Sequence, residues 1–122
     1  MLEAYESVSP TAILTSYQRT FTDIQYEKEI FDWLNKKCKD KIQLNKLTAP
    51  VIEARYKLAN KLIDKQKIFQ ILELAAGYCS RGLIYSQKKY KYVEMDLESV
   101  ANTKKQIINE LLENGVVAIL KI

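Results

Sequence analysis

The hydrophobic period of this chain changes once, near residue 66, and that change limits what it can fold into. Before it, apolar residues recur at helical spacing. Ile13, Leu14 and Tyr17 share one face of TAILTSYQRT, and Ile30, Phe31, Trp33 and Leu34 make a broad stripe in EKEIFDWLNK. Ile52, Tyr56, Ala59 and Ile63, widened by Leu62, line LTAPVIEARYKLANKLIDK. Pro10 after Ser9, and Pro50 after Thr48-Ala49, suit the first turns of two of these helices. KKCKDK reads as a solvated loop or a frayed helix end.

After residue 66 the apolar residues come in short compact runs: KIFQILELAAG, YKYVEMDL and VVAILKI. The first fits a strand covered on both faces. Between the runs, RGLIYSQKK has room for one to three helical turns. LESVANTKKQIINELLE is helical by the spacing of Val100, Ile107, Ile108, Leu111 and Leu112, and Asn114-Gly115 stops it. Strands alternating with helices imply right-handed crossovers and a parallel sheet. The expectation is an α/β chain in one domain. A helical N-terminal segment (1–66) precedes a βαβαβ unit (67–122) with three parallel strands.

Composition narrows the function classes. A chain of 122 residues, 48% hydrophobic and 28% charged, has an ordinary globular balance. The net charge of +4 comes from lysines and arginines interleaved with acidic and apolar residues, which reads as solvated faces and not as a nucleic-acid footprint. There is no histidine, which excludes Ser-His or Cys-His nucleophiles and histidine-ligated metals. Two cysteines, Cys38 and Cys79, are too few to hold zinc alone, so no metal site is expected. No signal-like start and no membrane-length apolar run is present. The cysteines then read as free thiols in a reducing, cytoplasmic setting.

The segment ILELAAGYCSRG (71–82) stands where a parallel sheet places ligands, at the turn beyond its first strand. Gly77 permits a positive φ and close backbone approach, Ala75 and Ala76 keep the wall thin, and Gly82 lets the next helix pack tightly. The pattern is not G-x-G-x-x-G, since Ala75 stands for the first glycine and Gly82 falls too late. No Gly-Lys-Ser/Thr follows, so a nucleotide polyphosphate is disfavoured. Acids complete the pattern. Glu73 lies at the end of the first strand, while Glu94 and Asp96 share one face at the end of the second. Asp96 follows Gly77 by 19 positions, close to the offset at which an acid meets ribose hydroxyls. Acids beside a thin glycine turn suit an adenosyl group whose other end is cationic.

In its wording, the chain resembles the leucine carboxyl methyltransferase-like group of class I methyltransferases, bacterial O-methyltransferases associated with polyketide biosynthesis. SPTAILTSYQRTFTDIQYEKEIFDWL, IEARYK, ILELAAGYCSRGLIY and YVEMDL carry the resemblance, in that order. It implies a Rossmann-like fold, S-adenosyl-L-methionine as cofactor, and O-methyl transfer to a small molecule or carboxylate. It assigns Glu73, Ala75 and Gly77 to the wall around the methionine part of the cofactor, and Asp96 or Glu94 to the ribose. Arg19 is assigned to the cofactor carboxylate, with Arg81 as the runner-up; a guanidinium fork holds a carboxylate in two-point fashion. No residue is assigned to catalysis itself.

Each residue also has a plain structural reading. Glu73 would pair with Arg81, Asp96 would cap the following helix, Arg19 would form an ion pair, and Cys79 would be an inert loop thiol. The resemblance further implies a seven-stranded sheet, of which only strands in the order 3-2-1 are expected here, as in an N-terminal half with weak or no activity on its own. The first strand would then be an edge open to a second copy or a complementing chain. A chain that assembles in this way without catalysis is the alternative function.

Overall fold

The computed structural model describes residues 9–37 and 44–115. Five helices and two strands follow in the order α1 (Ser9–Arg19), α2 (Glu27–Lys37), α3 (Ala49–Lys65), β1 (Gln70–Leu74), α4 (Arg81–Ser86), β2 (Lys91–Met95) and α5 (Glu98–Glu113). β1 and β2 pair in parallel, with Leu72 opposite Val93 and Glu73 opposite Glu94. The expected third strand, VVAILKI, lies outside the described residues, so a two-stranded parallel sheet stands where an order of 3-2-1 was expected.

The helices begin and end for local reasons. Thr48 caps α3 with Pro50 in its first turn, and Gln66 turns extended to release the chain towards β1. Thr48 makes no side-chain cap bond; its hydroxyl instead accepts from the Gln18 amide on α1. At the far end, α5 stops at Asn114, followed by Gly115 at φ +71.

One cluster holds the two halves of the chain together. Ile13 of α1, Ile30, Phe31 and Leu34 of α2, Leu83 of α4, and Val100, Ile107 and Leu111 of α5 pack together with Tyr26 and Tyr78. Ile30, Leu34 and Ile107 are essentially fully buried. Each contributes roughly 1.5–3 kcal/mol by leaving water. Trp33 adds a polar tie by donating its indole N–H to Glu110 across α2 and α5.

The sheet departs from expectation in its covering. β1 was expected to be buried on both faces, yet burial alternates in both strands. Ile71, Glu73, Tyr92 and Glu94 are half-buried, whereas Leu72, Leu74, Val93 and Met95 are 57–66% exposed. The cause is the handedness of the crossovers. α4 and α5 both return over the face that carries Glu73 and Glu94: Arg81 meets Glu73 and Lys104 meets Glu94 there. Among the described residues nothing covers the opposite face.

Candidate functional site

The loop after β1 is shaped by two left-handed residues. Ala75 has φ +53 and Gly77 φ +56. Ala75 stays tied to the sheet, its N–H donating to the Met95 carbonyl at 2.8 Å. Gly77 then turns its own N–H to Asp96 Oδ2 at 2.7 Å, while Asp96 Oδ1 accepts from Leu97 N–H at 2.7 Å. The Asp96 carboxylate therefore locks the end of β2 to the glycine turn and to the start of α5. Each carboxylate oxygen keeps capacity for a further donor.

Gly82 lets α4 lie close on β2. A Cβ there would stand 2.5 Å from Glu94 Oε1 and 3.0 Å from Tyr92 Cδ1, so those side chains would have to shift to admit one. Glu94 itself is tucked beneath α4 and accepts from Lys104 Nζ at 2.6 Å. Burial raises its pKa, and the Lys104 ammonium opposes that shift.

A cavity of about 510 Å³ opens over the turn, within the usual range for a small-molecule site. Six of the seven residues expected at the site line it: Arg19 from α1, Glu73 from β1, Ala75 and Gly77 from the turn, Arg81 from α4, and Asp96 beyond β2. Glu94 is the exception and lines a neighbouring hollow of about 180 Å³ against α5, which shares Gly77 and Asp96 with the larger cavity. Of the two candidate ribose acids, Asp96 is thus the one in the main cavity.

The two arginines differ in how their donors are engaged. Arg81 gives Nη1 to Glu73 Oε1 at 2.8 Å, Nε to Asn60 Oδ1 at 2.8 Å and Nη2 to the Tyr56 carbonyl at 3.3 Å. Its guanidinium also lies 4.4 Å from the centre of the Tyr56 ring. It ties α3, β1 and α4 into one wall. Arg19 is 7% exposed; its Nε stands 3.0 Å from Glu27 Oε2, while Nη2 is buried with no hydrogen-bond partner. Arg19 lines the cavity and, of the two arginines, is the one that keeps a buried donor without a partner.

Glu73 accepts from Arg81 on one oxygen and from the Tyr92 hydroxyl on the other. The plain structural pairing and a cavity-lining position thus hold together. Cys79 is buried, and burial pushes its thiol up to about 11, which leaves it a poor nucleophile at neutral pH.

Several residues of the cavity were not anticipated. Arg55 and Tyr56 line it from α3, Thr11 and Thr15 from α1. The helical spacing of Ile52, Arg55, Tyr56 and Ala59 puts them on one side of α3, and that spacing was the available signal. Glu27 left no such signal, because its partners Arg19 and Ser80 come from distant elements.

Comparison with protein-family models, with curated proteins and with solved structures finds no match for this chain. No described helix is long and apolar enough to cross a membrane.

Proposed function

We propose that this chain carries an S-adenosyl-L-methionine site and belongs functionally with the O-methyltransferases. The observation that carries the reading is the convergence of Arg19, Glu73, Ala75, Gly77, Arg81 and Asp96 on one cavity. The donor set fits the ligand. An uncommitted buried guanidinium donor at Arg19 suits a carboxylate. Spare acceptor capacity on Glu73 suits an ammonium, and the Asp96 carboxylate, fixed by two backbone N–H groups, suits ribose hydroxyls.

Bound there, the cofactor would supply a sulfonium methyl group open to in-line attack by a substrate oxygen. The chain's own part is to bind and orient. Arg19 holds the anionic end, Asp96 fixes the sugar, and the thin wall of Ala75, Ala76 and Gly77 lets the backbone come close. Proximity and alignment are the main contributions such a site can make. Glu94 acts indirectly, by seating α4 and α5 on β2.

Isothermal titration with S-adenosylhomocysteine tests the reading. The unsubstituted chain should bind, and Asp96→Ala should weaken binding by about tenfold or more, the loss of a charge-assisted pair to the ribose. Absence of any heat at millimolar ligand sinks the cofactor assignment.

A second reading rests on a separate observation, the sheet face of Leu72, Leu74, Val93 and Met95, exposed among the described residues. In it the chain assembles through this face and the β1 edge, with a second copy or a complementing chain, and assembly is its function. Apolar patches of this kind mark association surfaces.

A further inference from the structure

We infer that Glu27 is the positioning residue of the cavity's anion-binding end, which it couples to the glycine turn; this rests on the cofactor reading above. Glu27 opens α2, just after Tyr26, whose φ of +69 swings the chain back inward. Its side chain is completely buried. Oε1 accepts from Ser80 N–H at 2.9 Å, at the end of the turn that carries Gly77 and just before α4. Oε2 stands 3.0 Å from Arg19 Nε.

The second contact is an incomplete one. Although the charges are at ion-pair distance, the Arg19 N–H is not aimed at Oε2, and neither atom makes a hydrogen bond. Nη2 of the same guanidinium is also buried without a partner. Groups buried and left in this state call for an explanation beyond packing. Stability does not supply one, since buried ion pairs are often matched or exceeded by apolar residues of similar volume. A ligand carboxylate does: it would take the Nη edge of Arg19, with the Glu27 carboxylate as counter-charge 3.0 Å from Nε.

The same carboxylate grips the backbone of the turn, so the guanidinium and the glycine wall are held by one side chain. An anion arriving at Arg19 and an adenosyl group arriving at Gly77 and Asp96 then meet a single preset frame. Preset geometry of this kind contributes to affinity by lowering the ordering cost of binding.

Two ligands that differ at one end test the inference. S-adenosylhomocysteine carries the amino-acid carboxylate, and 5′-methylthioadenosine keeps the adenosyl thioether without it. Glu27→Gln preserves an acceptor for Ser80 N–H but removes the charge facing Arg19. By titration calorimetry, E27Q should weaken S-adenosylhomocysteine by about tenfold, one charge-assisted contact, and leave methylthioadenosine within about twofold. In an Arg19→Gln background E27Q should cause no further loss, because the two act as a unit. If E27Q does not fold, Glu27→Asp carries the same comparison, with the charge kept and drawn back from Arg19.

Equal weakening of both ligands, or an unchanged S-adenosylhomocysteine affinity, overturns the positioning role while leaving the cofactor reading intact. Failure of the unsubstituted chain to bind either ligand overturns that reading, and this inference falls with it.

Discussion

Ala75 carries a local cost that its neighbours hold in place. A side chain at φ +53 costs roughly 1 kcal/mol relative to glycine, yet the Ala75 N–H is fixed to Met95 and the turn cannot relax. Where a dinucleotide loop has its first glycine, this chain accepts strain, as residues at binding sites commonly do. Cys79, four residues on, gives the pH signature of the buried turn. Its thiol ionises at about 11 when folded against an ordinary 9.0, chiefly through burial. The folded state then holds a proton that the unfolded state gives up. This stability is fully present below pH 9 and is lost as pH rises towards 11. Cys79→Ala should therefore flatten the alkaline fall in the urea midpoint relative to the unsubstituted chain. Parallel curves for the two proteins would show that the thiol is not buried. Tyr56, Tyr85 and Tyr92 are also shifted upward, chiefly by burial. Tyr85 contributes equally to both curves, whereas the Cys79 charge is part of the upward shift of Tyr56 and Tyr92, so their share shrinks as well in Cys79→Ala.

At the scale of elements, β2 is clamped to α5 by Lys104, and α4 approaches it closely at Gly82. Lys104→Met keeps the volume and leaves the Glu94 carboxylate half-buried without its counter-charge. The expected cost is about 2–3 kcal/mol at neutral pH, somewhat below that of a fully buried pair. Glu94 already has a raised pKa, and loss of Lys104 raises it further. Protonation as pH falls should therefore relieve the penalty. Chemical denaturation of K104M across mildly acidic pH checks this; a penalty that grows on acidification refutes it. The helix spacing around Lys104 was legible in the sequence, and so was the stop at Asn114-Gly115. Its pairing with Glu94 was not, because the sequence offered Glu94 only as an alternative to Asp96 for the ribose, and Lys104 stands on another element ten residues away. The extent of β1 was overestimated for a related reason. The apolar run KIFQILEL is longer than the five residues that find a strand partner.

For the molecule as a whole, the sheet face that no described residue covers is what the assembly reading turns on. Leu72 and Val93 face each other across the ladder and are both 58% exposed. Under the assembly reading, sedimentation equilibrium should show concentration-dependent self-association or capture of a complementing chain. Leu72→Lys with Val93→Lys should abolish it at a stability cost of only about 0.5 kcal/mol per site, as expected for exposed positions. A strictly monomeric chain whose behaviour these substitutions leave unchanged would remove the assembly reading and leave the cavity as the functional feature.

By itself the sequence determined the order of the described helices and strands, the ends of α3 and α5, and the residue types gathered around Gly77. These depend on spacing, caps and turns, which act within a few residues. Only the tertiary structure decided that Asp96 and not Glu94 reaches the main cavity, that Arg81 is engaged while Arg19 keeps a donor, and that no described residue covers one sheet face. Those outcomes depend on which helices return over which face, and on contacts such as Glu27 with Ser80, 53 residues apart. Local periodicity carries no information about such distant partners; close packing alone selects them.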